Sequence, residues 1–136
     1  MLANYLQPSV FNCLFVISIL TSPTLPGLLG DLRYQLERNY TLMVQAFEEW
    51  GIEFLPTHAG FHVFARLAKN AKNWDDEASV AKQLLDSGVM VGPGKGFGGI
   101  DGEVGWFRLS FSIPQEKLKT GLKRIEKILG LPNHMQ

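Results

Sequence analysis

A glycine-rich loop between two apolar segments constrains this chain more than any other feature. Gly92 to Gly102 contains six glycines and Pro93, so its backbone can take turns that side chains forbid. Val89–Val91 before the loop and Trp106–Phe111 after it are rich in the bulky residues that favour strands. We therefore predict a strand, a loop and a second strand.

The loop invites comparison with phosphate-binding loops. No Lys-Ser or Lys-Thr pair closes it, and no helix pattern begins after it, so it lacks the residues that such a loop needs. A structural loop is the preferred interpretation. A weak anion-binding nest of backbone N–H groups stays open as the alternative.

Arg108 lies inside the second predicted strand, among aromatic and aliphatic neighbours. Burying an unpaired cation is costly, so Arg108 needs an anionic partner or an exit to solvent. Its planar fork suits a carboxylate, which it can bind through two parallel hydrogen bonds. Two interpretations follow from the pattern: a site for a ligand carboxylate, or a structural ion pair with an acid such as Asp101 or Glu103.

Composition excludes several functional classes. Thirteen basic residues balance thirteen acidic ones over 136 residues, so the chain lacks the positive charge of a nucleic-acid binder. The single cysteine, Cys13, cannot form an internal disulfide, and we expect a cytoplasmic protein. His58, His62 and His134 show no metal-ligand spacing, and no Ser, His and acid arrangement is legible. We expect no metal site.

Residues 1–29 form an apolar N-terminal segment. Its run from Val10 to Leu20 is shorter than the roughly 20 residues of a membrane span. No Lys or Arg precedes it, as one would in a signal peptide. We therefore expect a buried helix or strand of a larger body, and no membrane attachment. Breaker residues at Thr21–Gly27 mark the boundary to a second domain, residues 30–136.

Helical periodicity recurs three times after Gly30. The first predicted helix runs to Gly51, the second is capped by Asp75 or Asp76, and the third is capped by Ser112. The first helix carries its apolar residues at steps of three or four: Leu29, Leu32, Leu36, Tyr40, Met43, Phe47 and Trp50.

Two more strands are predicted between the first two helices, at Ile52–Leu55 and Phe61–Leu67. Each helix has one apolar side, so all three should cover the same face of one sheet. The predicted fold class is α/β: a two-layer sandwich with a small, mostly antiparallel sheet covered on one face by three helices.

Three motifs near the C-terminal end resemble those of a known family. Pro93-Gly94, then Phe97, then Gly105-Trp-Phe-Arg-Leu-Ser-Phe111, resemble the C-terminal small domain of fold-type-I pyridoxal-phosphate enzymes. The pattern is most similar to class I/II aminotransferases of the 1-aminocyclopropane-1-carboxylate-synthase-like branch. Arg33–Gly51 resembles the family's long helix and Ala59–Leu67 one of its strands. The resemblance spans about residues 30 to 130.

The resemblance implies a role for Arg108. The matching arginine of the family binds the α-carboxylate of the amino-acid or 2-oxo-acid substrate, and Phe97 would pack beside it. The family's cofactor is pyridoxal 5'-phosphate. Its Schiff-base lysine, pyridine-binding aspartate and stacking aromatic lie in a large domain whose motifs are not found here, and Lys95 is not in the catalytic position.

We therefore expect a truncated or partial aminotransferase-like protein without independent catalysis. In a complete enzyme the reaction would be amino-group transfer or the related α,γ-elimination. The chain alone is not expected to bind the cofactor, and a polypeptide with the large domain would be its partner. The alternative is a stand-alone, non-catalytic α/β binding or interaction module.

Overall fold

The structure is a computed structural model that describes residues 9–99 and 101–132. It divides into two compact units, one ending at Tyr34 and the other beginning at Gln35. The elements follow in this order: α1 (Val10–Leu20), α2 (Leu25–Trp50), β1 (Phe54–Leu55), β2 (His62–Ala65), α3 (Trp74–Asp86), β3 (Gly92–Pro93), a 3-10 turn (Gly94–Phe97), β4 (Phe107–Ser110) and α4 (Gln115–Leu129).

The apolar helix α1 dominates the first unit. Its apolar side chains surround the axis instead of gathering on one face, and all eleven residues are exposed within this chain. The predicted buried helix or strand is thus a helix, but none of its residues is buried among the residues that the structure describes. Among the described residues, no single helix is long and apolar enough to cross a membrane, although α1 and α2 pass that test together as a bent pair.

Helix α2 begins earlier than predicted, at Leu25 instead of after Gly30. Pro26 and Gly27, which we read as breakers, lie in its first turn. Proline fits there because the first N–H groups of a helix have no partner within it. The breaker cluster therefore separates α1 from α2, and the division into domains at residues 29 and 30 stays a prediction.

The second unit contains a four-stranded sheet in the order β1-β2-β4-β3, with every neighbouring pair antiparallel. One face is apolar and buried under α2, α3 and α4. Its core contains the predicted Met43, Phe47 and Trp50 of α2, whereas Leu29 and Leu32 are exposed in the first unit. The α/β two-layer fold class is confirmed.

A buried amide joins α2 to the segment after β4. The Asn39 side chain is 4% exposed, and its Nδ2 donates to the carbonyl oxygens of Phe111 at 2.9 Å and Ile113 at 2.7 Å. Both donor hydrogens of the amide are thus satisfied, as burial requires. This contact fixes how α2 lies across the end of β4.

The predicted caps of two helices are wrong. Asn73, and not Asp75 or Asp76, caps α3: its Oδ1 accepts from the N–H groups of both aspartates at 2.9 Å, because a capping residue must precede the first turn. Helix α4 begins at Gln115, so Ser112 is too far upstream to cap it.

The strand predicted at Val89–Val91 is displaced to Gly92–Pro93. The Val89 N–H donates to the carbonyl oxygen of Leu84 at 2.8 Å, which closes the C-terminal end of α3 through a left-handed Gly88. The N–H group at the predicted strand start is therefore used by the helix, and pairing with β4 begins only at Gly92.

Substitution of Gly105 tests how closely the segment before β4 approaches the backbone of Ala68. Its φ is +91°, and a Cβ there would lie 2.2 Å from the carbonyl oxygen of Ala68. We expect Gly105→Ala to lower the free energy of unfolding by about 3 kcal/mol, from backbone strain and overlap together. Urea unfolding measures this difference.

Gly96→Ala is the matched control, since a Cβ at Gly96 meets nothing within 4 Å. Its free energy of unfolding should stay within about 0.5 kcal/mol of the parent. Equal effects of the two substitutions would contradict the close approach of Gly105 to Ala68.

Candidate functional site

The face of the sheet opposite the helices carries Arg108. Side chains alternate along a strand, and in β4 Phe107 and Leu109 are buried in the core while Arg108 points to the other face and is half-buried. In the ladder, Arg108 lies between Phe64 of β2 and Gly92 of β3. The strand pairing therefore places the cation on an open sheet face beside an aromatic side chain.

The aromatic ring of Phe97 packs against the guanidinium of Arg108. The 3-10 turn after β3 brings its ring centroid to 4.1 Å from Cζ of Arg108, and Phe64 meets the same ring edge-on at 5.7 Å between centroids. A guanidinium over an aromatic face is stabilised by the ring quadrupole. Gly92 makes room for this ring, because a Cβ there would lie 3.0 Å from Cε2 of Phe97.

The structural ion pair that the sequence left open for Arg108 is not formed among the described residues. Glu103 instead lies 3.2 Å from Nη1 of Arg66, whose Nη1 also lies 3.5 Å from Glu53. Glu103 further accepts from the indole N–H of Trp106 at 3.2 Å. Glu53 and Glu103 thus form salt bridges with Arg66. In the described part of the chain, the guanidinium of Arg108 forms none.

His62 lies on the same face as Arg108 and was given no role from the sequence. It pairs with Ser110 in the ladder, two residues along β4 from Arg108. Burial lowers the pKa of His62, and the positive charge of Arg108 lowers it further. Because strand register decides this proximity, no sequence signal could have revealed it.

A buried carboxylate organises the glycine-rich loop. Glu77 of α3 is 1% exposed, and its two oxygens accept from the backbone N–H groups of Lys95 at 3.0 Å and Gly105 at 2.8 Å. In the sequence, Glu77 looks like an ordinary acid in the first turn of a helix, and nothing there marks this role.

In the described part of the loop, several backbone N–H groups that an anion-binding nest would need are already used within the protein. The N–H of Lys95 is used by Glu77, that of Gly94 donates to the Trp106 carbonyl at 2.8 Å, and that of Gly99 to the Gly94 carbonyl at 2.9 Å. These three donors are directed into the protein, which favours the structural interpretation of the loop.

The described residues do not fit a pyridoxal-phosphate site. Such a site needs a lysine beside the substrate arginine, yet the side chain of Lys95 is exposed and the groups around Arg108 are Phe64, Phe97 and His62. Within residues 9–99 and 101–132, no three His, Cys, Asp or Glu side chains are grouped to hold a metal ion. The arrangement can bind and orient an anion, and no covalent step follows from these residues.

Comparison with known proteins connects this chain to one family. The family model "Aminotransferase class I and II" matches residues 15–125. The probable aminotransferase aclI of Aspergillus oryzae is 34% identical over 129 residues, covering 95% of this chain and 31% of that protein. The 1-aminocyclopropane-1-carboxylate synthase-like protein 1 of Mus musculus is 31% identical over 97 residues, covering 70% and 19%.

Solved structures give the same fold. The aromatic aminotransferase of Pyrococcus horikoshii matches with a TM-score of 0.71 at 22% identity, covering 83% of this chain and 29% of that one. At this identity the likeness shows the fold alone. The chain spans less than a third of the length of each of these three proteins.

The proximity of His62 and Arg108 can be tested by titration. Arg108→Gln should raise the pKa of His62, because it removes one of the two causes that lower it. Burial remains, so the pKa should stay below the ordinary value for histidine. Nuclear magnetic resonance of the imidazole signals against pH measures the change.

Lys123→Gln removes a positive charge from the exposed side of α4, which covers the other face of the sheet. The pKa of His62 should be the same in this variant as in the parent. A His62 pKa that does not move in Arg108→Gln would contradict the geometry of this face.

Proposed function

Since the chain belongs to the class I and II aminotransferases, we propose that it supplies the substrate-carboxylate site of such an enzyme, with Arg108 as the residue that binds the carboxylate. One observation carries the proposal. Arg108 is half-buried on an open sheet face, is stacked on Phe97, and has no salt bridge to any described acid. A permanent charge held in this way suits an anion from outside the chain.

The geometry supports binding and orientation. A guanidinium donates two parallel hydrogen bonds to a carboxylate, and the ring of Phe97 restricts the plane in which the fork can lie. Because the arginine is partly withdrawn from water, its attraction for a carboxylate is stronger than at a fully exposed site. The neutral form of His62, which its lowered pKa favours, would add no positive charge next to Arg108.

The reaction of the complete protein is amino-group transfer in this proposal, on an α-amino acid whose identity the site leaves open. Pyridoxal phosphate would act as the electron sink, held by parts of the protein other than the described residues. The relatives are long enough to contain such further parts, since this chain spans less than a third of the length of each. A large-domain polypeptide is accordingly the proposed partner, and the related α,γ-elimination is the alternative chemistry.

A stand-alone interaction module is the second candidate. The observation that favours it is α1, an apolar helix whose eleven residues are all exposed in this chain. Contiguous exposed apolar surface of this kind is typical of interaction sites. The two candidates differ in whether a carboxylate binds at Arg108.

Calorimetry with amino acids and 2-oxo acids tests the first proposal. We expect the parent protein to bind them, and Arg108→Gln to reduce the affinity by roughly tenfold to a hundredfold, because charge-assisted hydrogen bonds are worth about 1.5–3 kcal/mol. Arg108→Lys should fall between the two, since it keeps the charge and loses the fork.

Two controls make the result specific. Lys123→Gln should bind as the parent does, and an amine that lacks the carboxylate should not bind. Equal affinity in the parent and in Arg108→Gln would contradict the assignment, and the absence of binding to the parent would favour the interaction module.

Treatment with pyridoxal phosphate and borohydride tests whether the chain holds the cofactor alone. The described residues offer no lysine against Arg108, so we expect only scattered, substoichiometric labelling of exposed lysines. Peptide mass spectrometry locates the label. Stoichiometric labelling of one lysine would contradict the conclusion that the cofactor site lies outside these residues.

A further inference from the structure

Glu77 is a buried acid that the proposed carboxylate site does not use directly. It projects from α3, is 1% exposed, and contacts the glycine-rich loop through both carboxylate oxygens. Burying a carboxylate is expensive unless hydrogen bonds compensate it, and here two backbone N–H groups do so. A side chain in such a position constrains the segments that donate to it.

The two donors lie ten positions apart, one within the glycine-rich loop and one after it. Lys95 lies in the 3-10 turn that presents Phe97, two residues further on. Gly105 lies two residues before β4, the strand that presents Arg108. Phe97 thus lies two residues from one donor, and Arg108 lies three residues from the other. Both donors bind oxygens of the same carboxylate, that of Glu77.

The loop between these donors has little conformational preference of its own. Gly98, Gly99, Gly102 and Gly105 all have positive φ, and Asp101 shares this conformation at φ 49°. Glycine populates many conformations in the unfolded chain, so the loop depends on outside contacts to hold one shape. Glu77 supplies two of them from a rigid helix.

We propose that Glu77 is a positioning residue of the carboxylate site: by holding Lys95 and Gly105 together, it keeps the ring of Phe97 over the guanidinium of Arg108. This inference rests on the proposed function for its consequence in binding. The geometric part, that Glu77 sets the distance between Phe97 and Arg108, stands independently of any ligand.

Glu77→Gln is the informative substitution because it keeps the shape of the side chain. The amide has one oxygen, so one of the two N–H donors would face an NH₂ group that cannot accept. We expect the variant to remain folded and its affinity for 2-oxo acids to fall about tenfold, as when supporting residues are removed from other binding sites. Circular dichroism and calorimetry measure the two properties.

Glu116→Gln is the matched control. Glu116 is an exposed acid of α4 whose salt bridge, with Lys119 at 2.9 Å, lies on the surface. The same chemical change there should leave the affinity within about twofold of the parent, since surface pairs contribute little.

A double-substitution cycle separates positioning from general stability. If Glu77 acts through Phe97, then Glu77→Gln should have almost no further effect on affinity in a Phe97→Ala background. A purely structural role would lower affinity by the same factor in both backgrounds, and that result would overturn the proposal.

Nuclear magnetic resonance provides a readout without ligand. Cross-relaxation between the Phe97 ring and the Arg108 side chain should be present in the parent and in Glu116→Gln, and lost or strongly weakened in Glu77→Gln. Unchanged cross-relaxation in Glu77→Gln would overturn the inference even if the parent binds carboxylates. Lost cross-relaxation in a chain that binds no carboxylate would support it and contradict only the proposed function.

Glu77→Asp extends the test if the glutamine variant does not fold. Aspartate keeps the charge but is one methylene shorter, so it cannot reach both N–H groups in their present places. We expect the same loss of the Phe97–Arg108 cross-relaxation in this variant, and its retention would overturn the proposal.

Discussion

The antiparallel pairing of β4 between β2 and β3 is the constraint on which the second unit depends. It directs Phe107 and Leu109 into the core and Arg108 to the opposite face, so the same four residues build the fold and display the cation. The core side chains of β4 and Arg108 are therefore separated by strand alternation alone. A shift of one residue in this register would bury the guanidinium and expose two large apolar side chains.

The open face carries two arginines that are compensated in different ways. Arg66 is held between Glu53 and Glu103, whereas Arg108 lies against an aromatic ring. Glu103, one of the two acids considered as a partner of Arg108, is engaged elsewhere, by Arg66 and by the indole of Trp106. Charge on this face is thus distributed so that one guanidinium is structural and the other keeps its hydrogen-bond donors available.

Local and periodic features were predictable from the sequence, and long-range ones were not. The fold class, the helix stripe through Met43 and Phe47 and the family resemblance, including its 1-aminocyclopropane-1-carboxylate-synthase-like branch, are confirmed, because each depends on patterns within short windows. The role of Arg108 in binding stays a prediction.

Glu77 and His62 could not be recognised from the sequence as neighbours of this site. Their partners lie 18 or more positions away, and the contacts depend on loop closure and strand register. The cap of α3 was predicted wrongly because adjacent polar residues compete for one position, and that of α4 because the helix begins later than its pattern indicated.

Gly92 has a consequence for how this site can change. The absence of a side chain there leaves space that the Phe97 ring fills, with 3.0 Å between a hypothetical Cβ and the ring edge. Residues 92 and 97 therefore share one volume, so a side chain at the first position requires the residue at the second to shift or to be smaller. Divergence of this face should proceed by paired substitutions, and a small residue at position 97 would be the mark of a chain that has lost its glycine at position 92.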